Sequence, residues 1–320
     1  LGVTSVGDLH TTDVTFAQRR ILAEMARTGE LTLRVNFYIT PSGAGDEMAQ
    51  LKLAAAEVKQ LPQSDWFRFA GFAADLDDAG GDSDLLADRQ GMPLGSDLIE
   101  KFRRMVRFFA EGSYPFRLHA RQSSHWLDVI EQVHAVTPLS RQRIAFTDLD
   151  EVSAETIQRI KTLGAGIAVQ GRMVLTGERF VELWGAEKAR NSPPLRKLLD
   201  AGIPIGAGSA GFRSNNFSPM LSLWWLVTGK TVAGTAIRDK SQNVSREEAL
   251  RMYTIGSAWF SADTQRKGSI EVDKLADLAV LNADYLTVPE DQIRSLESVL
   301  TMVGGRVVYS AGRFAGVASK

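Results

Sequence analysis

One histidine and one aspartate of this chain are its first candidates for acid–base chemistry. The chain has four histidines and no cysteine, which excludes a thiolate nucleophile, a disulfide framework and a cysteine-bound zinc site. His119 lies in the apolar run 116–120, which predicts a β-strand, and Asp148 directly follows a second such run, 143–147. Catalytic side chains of parallel α/β folds gather at the carboxyl ends of strands. We therefore predict His119 as a general acid or base, with Asp148 as its partner if the two side chains meet. The alternative for His119 is an imidazole that only hydrogen-bonds within the fold.

A second set of polar side chains lies where substrate contacts are common. Arg213, Asn215 and Asn216 follow a predicted strand at 203–207, and loops at this end of parallel strands usually contact substrates. His125 precedes Trp126 at the predicted start of a helix. We predict these four residues as substrate-binding, with a loop or capping role as the alternative for His125.

The charge balance limits the class of partner. Lys and Arg number 37 against 38 Asp and Glu, a net charge of −1, so the chain has no long-range field. We therefore expect a small-molecule ligand, and neither a nucleic acid nor an anionic membrane. No apolar run approaches the roughly 20 residues that a membrane span needs. We expect a cytoplasmic location.

Short apolar segments alternate with amphipathic helical segments over the first part of the chain, the pattern of a parallel α/β sheet. Eight strands make a barrel whose interior side chains fill, whereas fewer leave apolar edges exposed. We therefore predict a (β/α)₈ TIM-type barrel with about seven of its eight strands here. The sequence is then expected to be a fragment, its missing strand lying upstream or coming from a homo-oligomer partner or another chain. The predicted strands are 3–6, 31–39, 66–72, 116–120, 143–147, 165–169 and 203–207.

After Ser209 the pattern changes. A helix opened by a capping box, Ser245 with Glu248, is followed by four strand-like runs at the end of the chain. We predict a barrel over residues 1–262 and a small β-sandwich part over residues 263–320. The four predicted C-terminal strands are 269–272, 278–281, 299–303 and 306–309.

Several motifs resemble the amidohydrolase superfamily, and within it amidohydrolase family 3. Residues 2–6 are G-V-T-S-V, residues 118–120 are L-H-A, and residues 206–209 are G-A-G-S. The tail is more specific. It has S-R-E-E-A-L at 245–250, G-S-I-E at 268–271 with K-L-A-D-L-A-V-L at 274–281, and T-M-V-G-G-R-V-V-Y at 301–309. The resemblance extends over the whole chain, and it assigns residues 263–320 to the family's composite second domain.

The resemblance implies a metal-dependent hydrolase of C–N or ester-like bonds. In such enzymes a His-x-His, a carboxylated Lys, two further His and an Asp hold zinc or another divalent metal, which lowers the pKa of a bound water. The His-x-His would lie upstream of this sequence. The motifs place the Lys at Ala73, the two His at His119 and Phe146, and the Asp at Ala210. Methyl and phenyl groups cannot coordinate a cation, so we expect no metal and no other cofactor.

Three hypotheses follow. The chain is a pseudoenzyme kept for ligand binding or as a scaffold subunit, or a metal-free enzyme that reuses the pocket with His119 as acid or base. In the third, the family reaction persists because other segments or a neighbouring chain supply the ligands.

Overall fold

The computed structural model describes residues 1–8, 14–41, 46–75, 95–119, 123–140, 142–147, 149, 152–211 and 216–317. Seven strands follow one another in chain order in one sheet, and helices separate them. This order confirms the predicted (β/α)₈ TIM-type fold with seven strands in this chain. The strands are β1 (Ser5–Asp8), β2 (Arg34–Ile39), β3 (Phe67–Asp75), β4 (Phe116–His119), β5 (Ile144–Thr147), β6 (Gly166–Gln170) and β7 (Ile205–Gly208).

The helices begin and end where the sequence supplies caps. At the start of the first helix, the Thr15 side chain accepts from the Gln18 amide at 3.3 Å, and the Gln18 side chain accepts from the Thr15 amide at 2.7 Å. The same helix ends at Gly29, whose φ of 78° suits a residue without a β-carbon. The helices are α1 (Phe16–Thr28), α2 (Glu47–Gln60), α3 (Ser96–Glu111), α4 (Ser123–Val136), α5 (Ala154–Thr162), α6 (Met173–Trp184), α7 (Ala186–Arg190), α8 (Leu195–Asp200), α9 (Pro219–Thr228), α10 (Arg246–Arg251) and α11 (Ser257–Phe260). None of the described helices is long and apolar enough to cross a membrane.

The chain divides into two compact units. Unit 2 comprises residues 7–31 and 35–167, and it contains the parallel strands β3, β4 and β5 with helices α1 to α5. The α3 helix buries an apolar face that includes Phe102, Met105 and Phe109, and Phe109 packs on Phe72 of β3 and Phe116 of β4. Burial of such aromatic and aliphatic side chains supplies most of the stabilisation of a domain, at about 25 cal/mol per Å² of apolar surface.

Unit 1 comprises residues 1–6, 32–34 and 168–320. It holds a separate antiparallel sheet in the order β10-β9-β8, formed by β8 (Leu278–Leu281), β9 (Ser298–Val303) and β10 (Arg306–Ser310). This sheet confirms three of the four predicted C-terminal strands. It lies within the predicted second segment, although the boundary at residue 263 stays a prediction.

The strand predicted at 269–272 is wrong. The alternation of Ile270 and Val272 resembles a half-buried strand, but these side chains are 89% and 91% exposed. The polar side chains beside them bond to one another locally. Lys274 Nζ donates to both Ser269 Oγ and Glu271 Oε1, and Ser269 Oγ also donates to Glu271. These local side-chain hydrogen bonds replace the ladder that a strand would need.

Candidate functional site

The strand register of unit 2 determines which side chains share a face. Phe72 of β3 is paired with Phe116 of β4, and both rings pack on Phe109 of α3, with centroids 5.6 and 5.1 Å away. These two residues therefore face the helices. Successive side chains of a strand point to opposite faces, so the residues that follow them face the other way. We call that opposite side of β2 to β5 the inner face.

One row of the inner face consists of Ala73, Arg117 and Ala145. Arg117 is in register with Ala73 on β3 and with Ala145 on β5. All three are buried, and Arg117 is only 3% exposed. A guanidinium side chain is thus flanked by a methyl group on each neighbouring strand. We call this set the Ala–Arg–Ala row.

The next row toward the carboxyl ends contains His119 and Thr147. His119 is the last residue of β4, is half-buried, and is in backbone register with Asp75 of β3 and Thr147 of β5. Thr147 is buried and its hydroxyl donates to the carbonyl of Leu118 at 3.3 Å. His119 therefore lies at the strand end where we predicted it, and its role as acid or base stays a prediction. Its predicted partner Asp148 lies outside the described residues.

Phe146 lies on the other face. It is in register with Leu118, and its side chain is fully buried. Leu118 and Phe116 are two residues apart on β4, so Leu118 and Phe146 both face the helices. The residue of β5 beside His119 is Thr147, which the sequence did not single out. Phe146 is therefore a core residue rather than a neighbour of His119.

The Arg117 guanidinium lies beside an aromatic ring of β2. The Arg117 guanidinium carbon is 5.2 Å from the ring centroid of Tyr38, which is buried on β2. Arg68 Nη2 donates to Asn36 Oδ1 at 3.1 Å. Burial raises the pKa of the Tyr38 phenol, and the positive charges of Arg117, Arg143 and Arg68 oppose that shift. The phenol is therefore neutral at physiological pH.

The predicted substrate-binding residues lie in different settings. Arg213 and Asn215 lie outside the described residues, and His125 is exposed in the first turn of α4. Asn216 is buried, where its Nδ2 donates to Ser222 Oγ at 2.9 Å and its Oδ1 accepts from the Ser218 amide at 3.1 Å. These bonds anchor the start of α9. Contact of any of the four residues with a substrate stays a prediction.

The residue at the expected Asp position is Ala210, which follows β7 in unit 1. Its φ of 55° is in the left-handed region, although it has a β-carbon. A non-glycine residue in this region costs on the order of 1 kcal/mol. Ala210 therefore has a left-handed backbone conformation, but its methyl side chain has no atom that could coordinate a cation.

A family-type metal centre does not fit the described side chains. Of the four positions that the motifs identify, Ala73 and Ala210 end in methyl groups, Phe146 is buried on the helix side, and only His119 carries a donor atom. Within the described part of the chain there is no group of three or more His, Asp or Glu side chains that could hold a metal ion. A metal site needs about four protein ligands, or three and a water.

Comparison with known proteins gives one family. The model of the amidohydrolase family matches residues 1–309. The chain is 30% identical over 154 residues to an N-substituted formamide deformylase of Arthrobacter pascens, which covers 48% of this chain and 28% of that protein. The chain therefore spans under a third of this curated relative.

Solved structures have the same fold. A metal-dependent hydrolase from Pyrococcus horikoshii matches with a TM-score of 0.67 at 21% identity, over 90% of this chain and 56% of that one. The atrazine chlorohydrolase TrzN of Arthrobacter aurescens, in complex with zinc, matches with a TM-score of 0.65 at 18% identity, over 99% of this chain and 71% of that one.

Proposed function

This chain belongs to the amidohydrolase family, and from that premise we propose that it descends from hydrolases of C–N bonds, has lost the metal centre, and now binds a small molecule as a pseudoenzyme or scaffold subunit. The observation that carries the proposal is the pair Ala73 and Thr147 on the inner face. Ala73 places a buried methyl where the motifs predict a metal-binding lysine, and the β5 residue beside His119 is Thr147, whose hydroxyl donates to the Leu118 carbonyl.

The residue beside Ala73 supports the same proposal. Arg117 is in register with Ala73, and a guanidinium stays protonated in proteins, so neither residue offers a lone pair to a metal ion.

Hydrolysis of a C–N bond is the competing function. The relative in Arthrobacter pascens is named for N-substituted formamides, and the Pyrococcus structure is described as a metal-dependent hydrolase. This function would require metal ligands from segments outside the described residues or from another chain. It replaces our proposal if the purified protein holds metal.

A metal-free reaction is a further candidate, favoured by the place of His119. Its imidazole lies at the carboxyl end of β4 in the row of Thr147, where a bound molecule would meet it. A general base must lie within hydrogen-bond reach of the proton that it removes. For any turnover detected, a His119→Ala variant with an unchanged rate would exclude this candidate.

Metal analysis of the purified protein tests the proposal. The protein is grown in medium supplemented with zinc, manganese and iron, purified without chelator, and assayed by plasma emission spectrometry. We expect far less than one equivalent of any of these metals, and no hydrolysis of N-substituted formamides. One equivalent of metal that His119→Ala abolishes would overturn the proposal, whereas a distant variant such as His134→Ala controls for adventitious binding.

A further inference from the structure

We propose that C-terminal residues of unit 1 clamp the amino-terminal ends of β1 and β2, and so fix residues 1–6 to the same compact unit. The inference does not rest on the proposed function, because it concerns how two strands are held and not what the barrel binds. Five residues form this tail clamp: Asp263, Lys267, Asp277, Ala279 and Ser298.

The buried ammonium group of Lys267 makes the first contact. Its Nζ lies 3.0 Å from Asp263 Oδ2 and donates to Ser5 Oγ at 3.2 Å. Lys267 is 7% exposed and Asp263 is 3% exposed, so the pair is shielded from water. A buried ammonium needs acceptors for its N–H groups, and the Ser5 hydroxyl supplies one of them. The tail therefore binds the first residue of β1.

Gly2 makes the second contact, which depends on shape. A β-carbon at position 2 would lie 3.1 Å from the β-carbons of both Ala279 and Ser298, and the φ of Gly2 is 77°. Ala279 belongs to β8 and Ser298 to β9, two paired strands of the C-terminal sheet. Glycine suits both this close approach and this φ, because it has no β-carbon.

Arg34 makes the third contact, at the first residue of β2. Its amide donates to the Thr4 carbonyl at 2.9 Å. Its guanidinium donates to both carboxylate oxygens of Asp277, at 2.7 and 3.0 Å. Arg34 thus joins the segment before β1 to the tail through its backbone and its side chain together.

All three contacts lie at the amino-terminal ends of the strands. Ser5 and Arg34 are the first residues of β1 and β2, and Gly2 precedes β1. In barrels of this type the carboxyl ends of the strands carry the chemistry, whereas residues at the amino ends serve stability. The tail clamp is therefore a structural device. It explains why residues 1–6 and 32–34 form one unit with residues 168–320.

Hydrogen–deuterium exchange of the purified chain, measured by mass spectrometry at residues 4–6, tests the clamp. We expect these amides in the wild type to exchange about tenfold or more slowly than in an unstructured peptide. Ser5→Ala removes an acceptor from the Lys267 ammonium, and we expect exchange at residues 4–6 to rise about tenfold, as for loss of a hydrogen bond to a charged group. Ser269→Ala is the matched control, a tail serine whose hydroxyl bonds Lys274 and Glu271, and should exchange as the wild type does.

Gly2→Ala tests the contact of shape. We expect the added methyl group to displace residue 2 from the C-terminal sheet, and exchange at residues 4–6 to rise about tenfold. Gly202→Ala is the control, because Gly202 has a φ of 71° and a β-carbon there would meet no atom within 4 Å. That variant has the same backbone cost without the collision, and should leave exchange at residues 4–6 unchanged.

Three outcomes would overturn the clamp. The first is wild-type exchange at residues 4–6 as fast as in an unstructured peptide, and the second is a rise in Ser5→Ala and Gly2→Ala no larger than in their controls. The third is an equal rise throughout unit 1, including α9, which would assign the effect to general stability. Because the wild type alone tests the first outcome, a variant that fails to fold does not remove the test. Stoichiometric metal in the protein would overturn the proposed function and leave the clamp unaffected.

Discussion

Arg117 stands directly opposite Ala73 across the β3–β4 ladder, so a buried guanidinium adjoins the position at which the family motifs predict a metal-binding lysine. The two residues have to be considered together. A lysine at 73 would bring a second positive group into this buried row, in register with Arg117. The replacement of lysine and the presence of arginine are therefore chemically consistent with each other.

Restoring the lysine should destabilise the protein rather than repair it. We expect Ala73→Lys to lower the free energy of unfolding by about 1–3 kcal/mol more than Ala73→Met, which adds a similar volume without charge. The difference should shrink in Ala73→Lys/Arg117→Met, because the repelling partner is then absent. Urea unfolding of the three variants measures it. Equal stability of Ala73→Lys and Ala73→Met would show that the two side chains do not share the inner face.

Phe146 allows a test of the strand register. Because its side chain is fully buried beside Leu118, Phe146→His should lower the free energy of unfolding by about 2–4 kcal/mol, since an imidazole is smaller and polar. Excess zinc should not restore stability, because His119 faces the opposite way. Phe146→Leu, which changes volume without polarity, is the control. Stabilisation of Phe146→His by zinc, absent for Phe146→Leu, would mean that residues 119 and 146 meet on one face.

The sequence was sufficient for the order of elements because each depends on local pattern. The apolar runs before His119 and before Asp148 became β4 and β5, and the capping box at Ser245 opens α10 as predicted. The face on which a side chain lies cannot be predicted from local pattern in the same way, because it depends on the register between strands far apart in sequence. The motif alone assigned a metal-ligand position to Phe146, whereas the register puts Thr147 beside His119.

Arg117 is a second residue whose surroundings could not be predicted from the sequence alone. An arginine within F-R-L-H is an unusual residue for a buried strand, and this signal is present in the sequence. What the sequence does not contain is the pair of alanines on either side, since Ala73 and Ala145 come from separate segments. Recognising the Ala–Arg–Ala row required the pairing of β3, β4 and β5.

The capping box of α10 should make stability depend on pH. Glu248 accepts from both terminal nitrogens of Arg196, at 2.9 and 2.7 Å, and from the Ser245 amide at 2.7 Å. The hydrogen bonds from Arg196, followed by those from Ser245, lower the pKa of the Glu248 carboxyl in the folded state, although burial opposes them. A carboxyl with a lowered pKa stabilises the fold above its unfolded pKa, and this contribution is lost as pH falls through the folded value.

We therefore expect Glu248→Gln to lower the free energy of unfolding by about 0.5–1 kcal/mol at pH 7, a modest value because the pair is partly exposed to solvent. The difference from wild type should shrink as pH falls below the ordinary pKa of a glutamate and disappear below the lowered pKa of the folded state. Glu247→Gln in the same helical turn is the control. A difference that persists unchanged at low pH would assign the effect to packing rather than to the charge.

The ion pair Arg34–Asp277 in unit 1 explains an aspartate of the tail motif. Arg34 Nε and Nη2 donate to the two carboxylate oxygens of Asp277 at 2.7 and 3.0 Å, and both side chains are 4% exposed. The Gly304 amide also donates to Asp277 at 2.7 Å. Removing Asp277 alone leaves a guanidinium buried with its carboxylate gone, which typically costs about 3–5 kcal/mol.

Replacing both charges should cost less than replacing the aspartate alone. In Arg34→Met/Asp277→Leu both charges of the pair are removed, so we expect at least half of the loss seen in Asp277→Leu to be recovered, while the Gly304 amide still lacks its acceptor at a cost of about 1–3 kcal/mol. Urea unfolding of the wild type, the two single variants and the double variant gives the coupling energy. Hydrogen exchange at Gly304 should be faster in both variants that lack Asp277. Additive effects of the two substitutions would show that the guanidinium does not depend on this carboxylate, and the aspartate of the motif would then act through Gly304 alone.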